Sequence, residues 1–161
     1  MKKKLSKGIL LLYFMSLIIA CDTEKEQPPD SKVDIEQIKK EIQTKENEYA
    51  EVYNAGELKK IGYYADDAIS YAQNQAPKVG REAIIDYLKV DAEFRTDKIS
   101  FKTNEVFVSN DGNLVVEIGY YKVVDSTNTD INSGNYMCLF EKRDGKYYCI
   151  REMSASDMSF E

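Results

Sequence analysis

Twelve tyrosines, three cysteines and a complete lack of histidine set the chemistry open to this 161-residue chain. Without imidazole there is no Ser–His or Cys–His nucleophile, no histidine base and no histidine-ligated zinc. Proton exchange by carboxyl and phenol groups remains, together with stacking and hydrogen bonding by tyrosine. Asp144-Gly145 reads as a hairpin turn that sets Arg143 opposite Lys146. Counting back from that turn brings Phe140 opposite Cys149, Cys138 opposite Arg151 and Tyr136 opposite Met153, all on one sheet face. Phe140 and the two cysteines mark this face as the inner one, so Arg151 is expected to point inward beside Tyr136. An unpaired buried charge is costly. Arg151 is therefore an anchor for a polar ligand group, or the partner of an internal acid such as Asp91 or Glu117, or it sits on a strand displaced by a bulge. Cys138 and Cys149 are diagonal neighbours in this register, a poor geometry for a bridge, and read as two buried thiols. Asp66-Asp67 reads as a helix-end cap and Gly80-Arg81-Glu82 as a helix start. There is no glycine-rich phosphate loop, and no cofactor or metal is expected.

The elements that carry these residues follow from periodicity. Asp34, with Gln37 three residues on, predicts an N-cap. Ile35, Ile38, Ile42, Tyr49 and Val52 then recur at helical spacing, and Gly56 predicts the stop. A short second helix over Glu57 to Tyr64, a strand over Ala68 to Ala72 and a third helix after Gly80, with Ile84, Ile85 and Leu88 buried, come next. From Lys98 the period becomes two, which predicts strands over Ile99–Ser109, Leu114–Val124, Ile131–Arg143 and Lys146–Ser154. Asn110-Asp111-Gly112 supplies the first hairpin turn. Helices followed by an antiparallel meander make an α+β domain, with a curved sheet wrapped around the N-terminal helices.

The N-terminus carries a separate message. Lys2, Lys3, Lys4 and Lys7 precede an uncharged apolar run from Gly8 to Ala20, shorter than the roughly 20 residues a membrane-spanning helix needs. Ile18-Ile19-Ala20-Cys21 resembles the lipobox of bacterial lipoproteins. That resemblance implies a signal peptide over 1–20, cleavage before Cys21, lipid on the Cys21 thiol and amine, and a chain anchored to a membrane of the cell envelope. Residues 21–33 read as a lipidated polar tether stiffened by Pro28-Pro29, and residues 34–161 as the domain it carries. Removing the signal with its four lysines leaves 18 basic against 28 acidic residues, a net charge of −10. Such a domain repels phosphate, so nucleic acid is not an expected partner.

Four segments carry a second resemblance: Tyr49 to Glu57, Tyr64 to Ala68, Val79 to Ile84 and Phe140 to Tyr147. In this order and spacing they resemble the nuclear transport factor 2-like superfamily, which includes ketosteroid isomerases and SnoaL-like cyclases. The resemblance implies a cone-shaped α+β fold with a pocket at its open end, between sheet and helices. In ketosteroid isomerases a helix tyrosine, a strand acid and a proton-shuttling aspartate do the chemistry. Tyr49 matches the tyrosine, Tyr136 stands at the strand acid, and Ala72 stands where the aspartate would fall. The base is missing, which argues against that reaction. Tyr49, Tyr71, Tyr136 and Arg151 are the candidate pocket-lining residues. The expectation is a lipid-anchored domain, without catalysis, that binds a small, partly apolar molecule or serves as an interaction module. The alternative is a lyase, cyclase or isomerase working through pocket tyrosines. A homodimer is a further expected partner.

Overall fold

The computed structural model describes residues 33–92 and 96–158. The signal segment, Cys21 and all of the tether but Val33 lie outside the described residues. The first helix, α1, spans Ile35–Asn54, and its first turn is closed by Asp34, whose Oδ1 accepts from the Gln37 N–H at 3.0 Å. Gly56, at φ +70, ends it in a Schellman turn: Gly56 N–H donates to the Tyr53 carbonyl and Glu57 N–H to that of Val52, each at 3.0 Å. Ile38, Ile42 and Ala50 line the buried face of α1, and Glu46 lies among them. No helix among the described residues is long and apolar enough to cross a membrane.

The second helix expected after Gly56 is a single 3-10 turn, Leu58–Lys60, because the chain is already extended at Tyr64. Strand β1 (Tyr64–Tyr71) starts four residues earlier than the periodicity indicated. Asp66 and Asp67 therefore project from a strand and do not cap a helix. Asp66 pairs with Arg81 at 2.5 Å, and Asp67 accepts both terminal nitrogens of Arg143 at 2.7 and 3.0 Å. A two-residue strand, β2 (Lys78–Val79), leads through Gly80 into helix α2 (Arg81–Ala92), whose Ile84 and Ile85 are buried.

The meander follows as expected: β3 (Lys98–Val108), β4 (Leu114–Val124), β5 (Asp130–Arg143) and β6 (Lys146–Ser156). Asp144 and Gly145 both take positive φ, as a tight hairpin turn requires. The sheet order is β2-β1-β6-β5-β4-β3, and β1 runs parallel to β6, so the α+β sheet is mixed. Helix α1 lies along the β3 edge and completes its backbone pairing with side-chain amides. Gln43 bonds the Phe101 carbonyl and the Thr103 N–H, and Asn54 does the same for both groups of Ile99. An edge strand blunted in this way offers few free backbone groups to another chain.

Register shifts interrupt four of the pairings that build the inner face, between Thr103 and Glu105, Val123 and Val124, Leu139 and Phe140, and Tyr64 and Ile69. Each bends the strand that carries it. The core fills the narrow end of the curve with Ile42, Ile84, Val115, Phe140, Tyr64 and Tyr147. The other end stays open.

Candidate functional site

At the open end is a cavity of about 320 Å³, within the range of small-molecule pockets. Helix α1 supplies Glu46, Tyr49 and Tyr53, helix α2 supplies Tyr87 and Leu88, and the end of β1 supplies Ser70, Tyr71 and Ala72. The sheet contributes Phe101, Tyr121, Tyr136, Cys138 and Glu152. Neither lysine nor arginine is among its lining residues.

Three of the four expected lining residues are here. Tyr49 sits in an aromatic cluster, its ring centroid 5.0 Å from Tyr63, 6.0 Å from Tyr64 and 5.4 Å from Phe101. Tyr71 stands at the rim, 40% exposed. Tyr136 is buried, and its ring packs edge-on against Phe101 and covers Gly119, where a Cβ would overlap the ring. Ala72 lines the cavity, so the position of the isomerase base is apolar here as well.

Arg151 is the correction. The register from the Asp144-Gly145 turn holds as far as Phe140 opposite Cys149, and then Leu139 pairs with Arg151, leaving Ile150 as the extra residue of a bulge. Beyond it Cys138 faces Glu152, Met137 faces Met153 and Tyr136 faces Ser154. The bulge reverses the alternation, so Arg151 leaves the inner face and Glu152 takes its place. Arg151 donates to the backbone carbonyls of Asp67 and Ile150, at 3.2 and 2.5 Å, and does not pair with Glu117. Glu117 belongs instead to the inner face, and the Asp91 side chain lies outside what the structure describes. The unaided sequence gives one clue to the bulge: Arg151 and Glu152 are adjacent, and only one of them can face inward.

Two hydrogen-bond networks converge on the cavity. In the first, Glu117 Oε1 accepts from Thr103 Oγ1 at 2.6 Å and from the Tyr136 hydroxyl at 2.8 Å. The Tyr63 hydroxyl donates to Glu46 and also lies 3.3 Å from Cys138 Sγ. Glu46 and Glu117 are both buried and face each other. Burial pushes the Glu46 carboxyl well above its ordinary value, and the negative charge of Glu117 pushes it further. Burial also raises Glu117, but the Thr103 and Tyr136 hydroxyls and Glu46 itself hold it back. Of the two carboxyls, Glu46 is pushed the further toward its protonated form. Glu117 Oε2 is sealed from solvent and has no hydrogen-bond partner among the described residues. Glu46 is not singled out by the sequence, and Glu117 enters there only as an internal partner for Arg151. The available signal was the i, i+4 row Ile38, Ile42, Glu46, Ala50, which places a carboxyl on the apolar stripe of a helix.

In the second network the Tyr64 hydroxyl donates to both Glu152 oxygens, at 3.1 and 3.0 Å. Ser70 adds a further hydrogen bond. Desolvation dominates and raises the Glu152 carboxyl, the two hydroxyl bonds opposing it. Neutral hydroxyls are thus its partners, and it forms no ion pair among the described residues.

Cys138 and Cys149 are free and buried, as expected. The ligand atoms of Cys138, Cys149 and Glu152 lie within 4.8 Å of one another, as do those of Glu46, Glu117 and Cys138. Hydrogen bonding to Cys149 and burial push the Cys138 thiol well above its ordinary value, and burial raises Cys149. This favours the thiol over the thiolate that a metal ion needs.

No family model and no curated protein sequence matches the chain. Solved structures do. A nuclear transport factor 2-like protein with a cystatin-like fold from Novosphingobium aromaticivorans superposes with a TM-score of 0.63 over 76% of this chain and 84% of its own, at 15% identity. A ketosteroid isomerase-like protein from Erwinia carotovora atroseptica gives 0.60 over 74% and 96%, at 14% identity. A protein from Catenulispora acidiphila, solved in complex with S-DNPA, gives 0.64 over 76% and 95%, at 16% identity. With its α1 helix laid on a six-stranded bent sheet, the chain has the nuclear transport factor 2-like, cystatin-like fold.

Proposed function

We propose that this protein is a small-molecule-binding lipoprotein of the bacterial cell envelope, held to a membrane by lipid on Cys21. The observation that carries the binding function is the open cavity of about 320 Å³, walled by aromatic rings and floored by carboxyl groups. A domain with no ligand to accommodate would gain by closing that volume with larger side chains. The bound ligand of the Catenulispora acidiphila relative supports the same use of the fold. The anchor rests on the lipobox-like run ending at Cys21 and would keep the cavity near the membrane surface. A homodimer belongs to the same proposal, supported by Phe107, Leu114 and Met137, which are exposed on the outer sheet face. Light scattering at micromolar concentration tests it, a monomer rejecting it.

The binding function is tested by native mass spectrometry of the full chain released in mild detergent from its producing cell. A retained small molecule, absent from an Ala72→Trp variant that fills the cavity, is the expected result. The same empty mass for both proteins, with no stabilisation of either by a library of apolar compounds, would reject it.

One observation favours a second function, a proton-transfer enzyme of the lyase, cyclase or isomerase kind. Glu152 faces the cavity with its carboxyl raised by burial, toward the range where a carboxylate serves as a base near neutral pH. Conversion of the retained molecule during incubation, lost in Glu152→Gln, would establish it over binding alone.

A further inference from the structure

We infer that the cavity selects a cation: a primary or secondary amine on an apolar or aromatic body, its ammonium group held by Glu152. This deepens the binding function proposed above and rests on it. The first argument is charge. The lining contains Glu46 and Glu152 but no basic residue, and the bulge at Ile150 turns Arg151, the nearest guanidinium along the strand, to the other face. An anionic ligand would meet carboxyl groups with no counter-charge.

The second argument is that the acids of the cavity are solvated by the protein but not neutralised by it. Glu152 is held by the hydroxyls of Tyr64 and Ser70. Glu46 and Glu117 lie against each other beneath the same floor, with the hydroxyls of Tyr63, Thr103 and Tyr136 as partners. A buried carboxylate without a cation is costly, and an entering ammonium group removes that cost at Glu152. The third argument is the wall. Tyrosine rings attract cations through their faces, and Tyr49, Tyr71 and Tyr121 line this cavity, while Tyr87 already has Lys78 Nζ 5.0 Å from its ring centre. Ion pairing and ring contact then act on one group, while Leu88 and Phe101 receive the apolar body.

The groups facing Glu152 are Tyr64 and Ser70 from β1, Tyr49 and Glu46 from α1, Cys138 from β5, and Cys149 from its own strand. None carries a positive charge. A bound ammonium therefore meets no competing cation, and it stabilises the ionised form of Glu152 that burial disfavours. Affinity is expected to rise with pH through the raised value of Glu152, and to fall only where the amine itself loses its proton.

The test is calorimetric titration of the full chain in mild detergent with three probes of one shape: naphthylethylamine, naphthylethanol and naphthylacetate. The amine is expected to bind at least about tenfold more tightly than the alcohol, a difference of about 1.4 kcal/mol. The acetate is expected to bind more weakly than either. Glu152→Gln should bring the amine down to the affinity of the alcohol. As a check independent of any variant, amine affinity of the unaltered protein should rise between pH 5 and pH 8 while that of the alcohol stays flat. Alcohol or acetate binding as tightly as the amine would overturn the cation assignment and leave the binding function standing. Failure of all three probes to bind would overturn both.

Discussion

Replacing Glu46 separates a shared proton from a simple buried contact. In the folded protein Glu46 accepts from the Tyr63 hydroxyl and lies against Glu117, and burial favours its protonated form, which can donate to Glu117. Glutamine performs both tasks with a fixed N–H, so Glu46→Gln should change stability by less than about 1 kcal/mol near pH 5. Leucine has a similar volume and performs neither. Glu46→Leu strips a donor from an ionised, buried Glu117, worth about 1.5–3 kcal/mol for a bond to a charged group. It also leaves the Tyr63 hydroxyl with Cys138 Sγ alone, worth a further 1 kcal/mol or so. The expected loss is roughly 2.5–4 kcal/mol on these figures. Urea unfolding of the full chain, followed by tyrosine circular dichroism, measures both variants. The pH dependence supplies the second half of the test. A carboxyl with a raised folded value keeps its proton in the native state after the unfolded chain has lost it. Its contribution to stability is complete below the ordinary value of 4.5 and is lost as pH rises through the folded value. The unaltered protein should therefore weaken from pH 5 to pH 8, by at most about 1.4 kcal/mol per pH unit for each proton retained. Asp67, Asp111 and Asp125 are shifted downward, so they are ionised in both states across this window and do not contribute. Glu46→Gln should flatten the slope, leaving the part that comes from Glu117 and Glu152. Equal losses for the glutamine and leucine variants at pH 5, or an unchanged slope in the glutamine variant, would refute the shared proton.

Other outcomes follow from the same geometry. Gly119→Ala drives a methyl group into the Tyr136 ring and should cost about 1–3 kcal/mol, with a changed near-ultraviolet tyrosine spectrum as Tyr136 leaves Glu117. Arg151→Ala should leave ligand affinity within about twofold, since the guanidinium binds backbone carbonyls outside the cavity; a tenfold loss in calorimetry would contradict the bulged register. Cys21→Ser should abolish incorporation of labelled fatty acid and move the chain from the membrane to the soluble fraction of producing cells; unchanged labelling would exclude this cysteine as the anchor.

Most of the fold is legible in the chain because its signals are local. Asp34, Gly56, Gly80 and the Asp144-Gly145 turn each fix an element end through their own backbone chemistry, and alternation from Lys98 onward marks the strands. The parallel pairing of β1 with β6 is not local, since it joins residues some eighty positions apart in sequence. The site is legible in part. Tyr49 and Tyr136 are found from the resemblance, and Tyr71 stands beside them among the expected pocket residues. Arg151 fails because counting across a hairpin assumes one residue opposite one, and the curvature of the sheet breaks that count at Ile150. Glu46 escapes because an acid on an apolar stripe looks like an error until its partners arrive from other elements, and Glu117, expected as a partner of Arg151, is met by Thr103 and Tyr136 instead.

The bulge at Ile150 also bears on how such a cavity can change by descent. Facing along a strand is a matter of odd and even, and a bulge is a place where the count resets. Residues before it and residues after it can be gained or lost together without disturbing each other's side. A residue inserted at the bend can be absorbed there, whereas one inserted in the regular stretch between Glu152 and Ser156 would exchange every inner side chain beyond it for its outer neighbour. The bend thus divides β6 into a stem that belongs to the core and a tip that belongs to the cavity. The tip can alter its ligand preference by changes in strand length, with the packing below untouched.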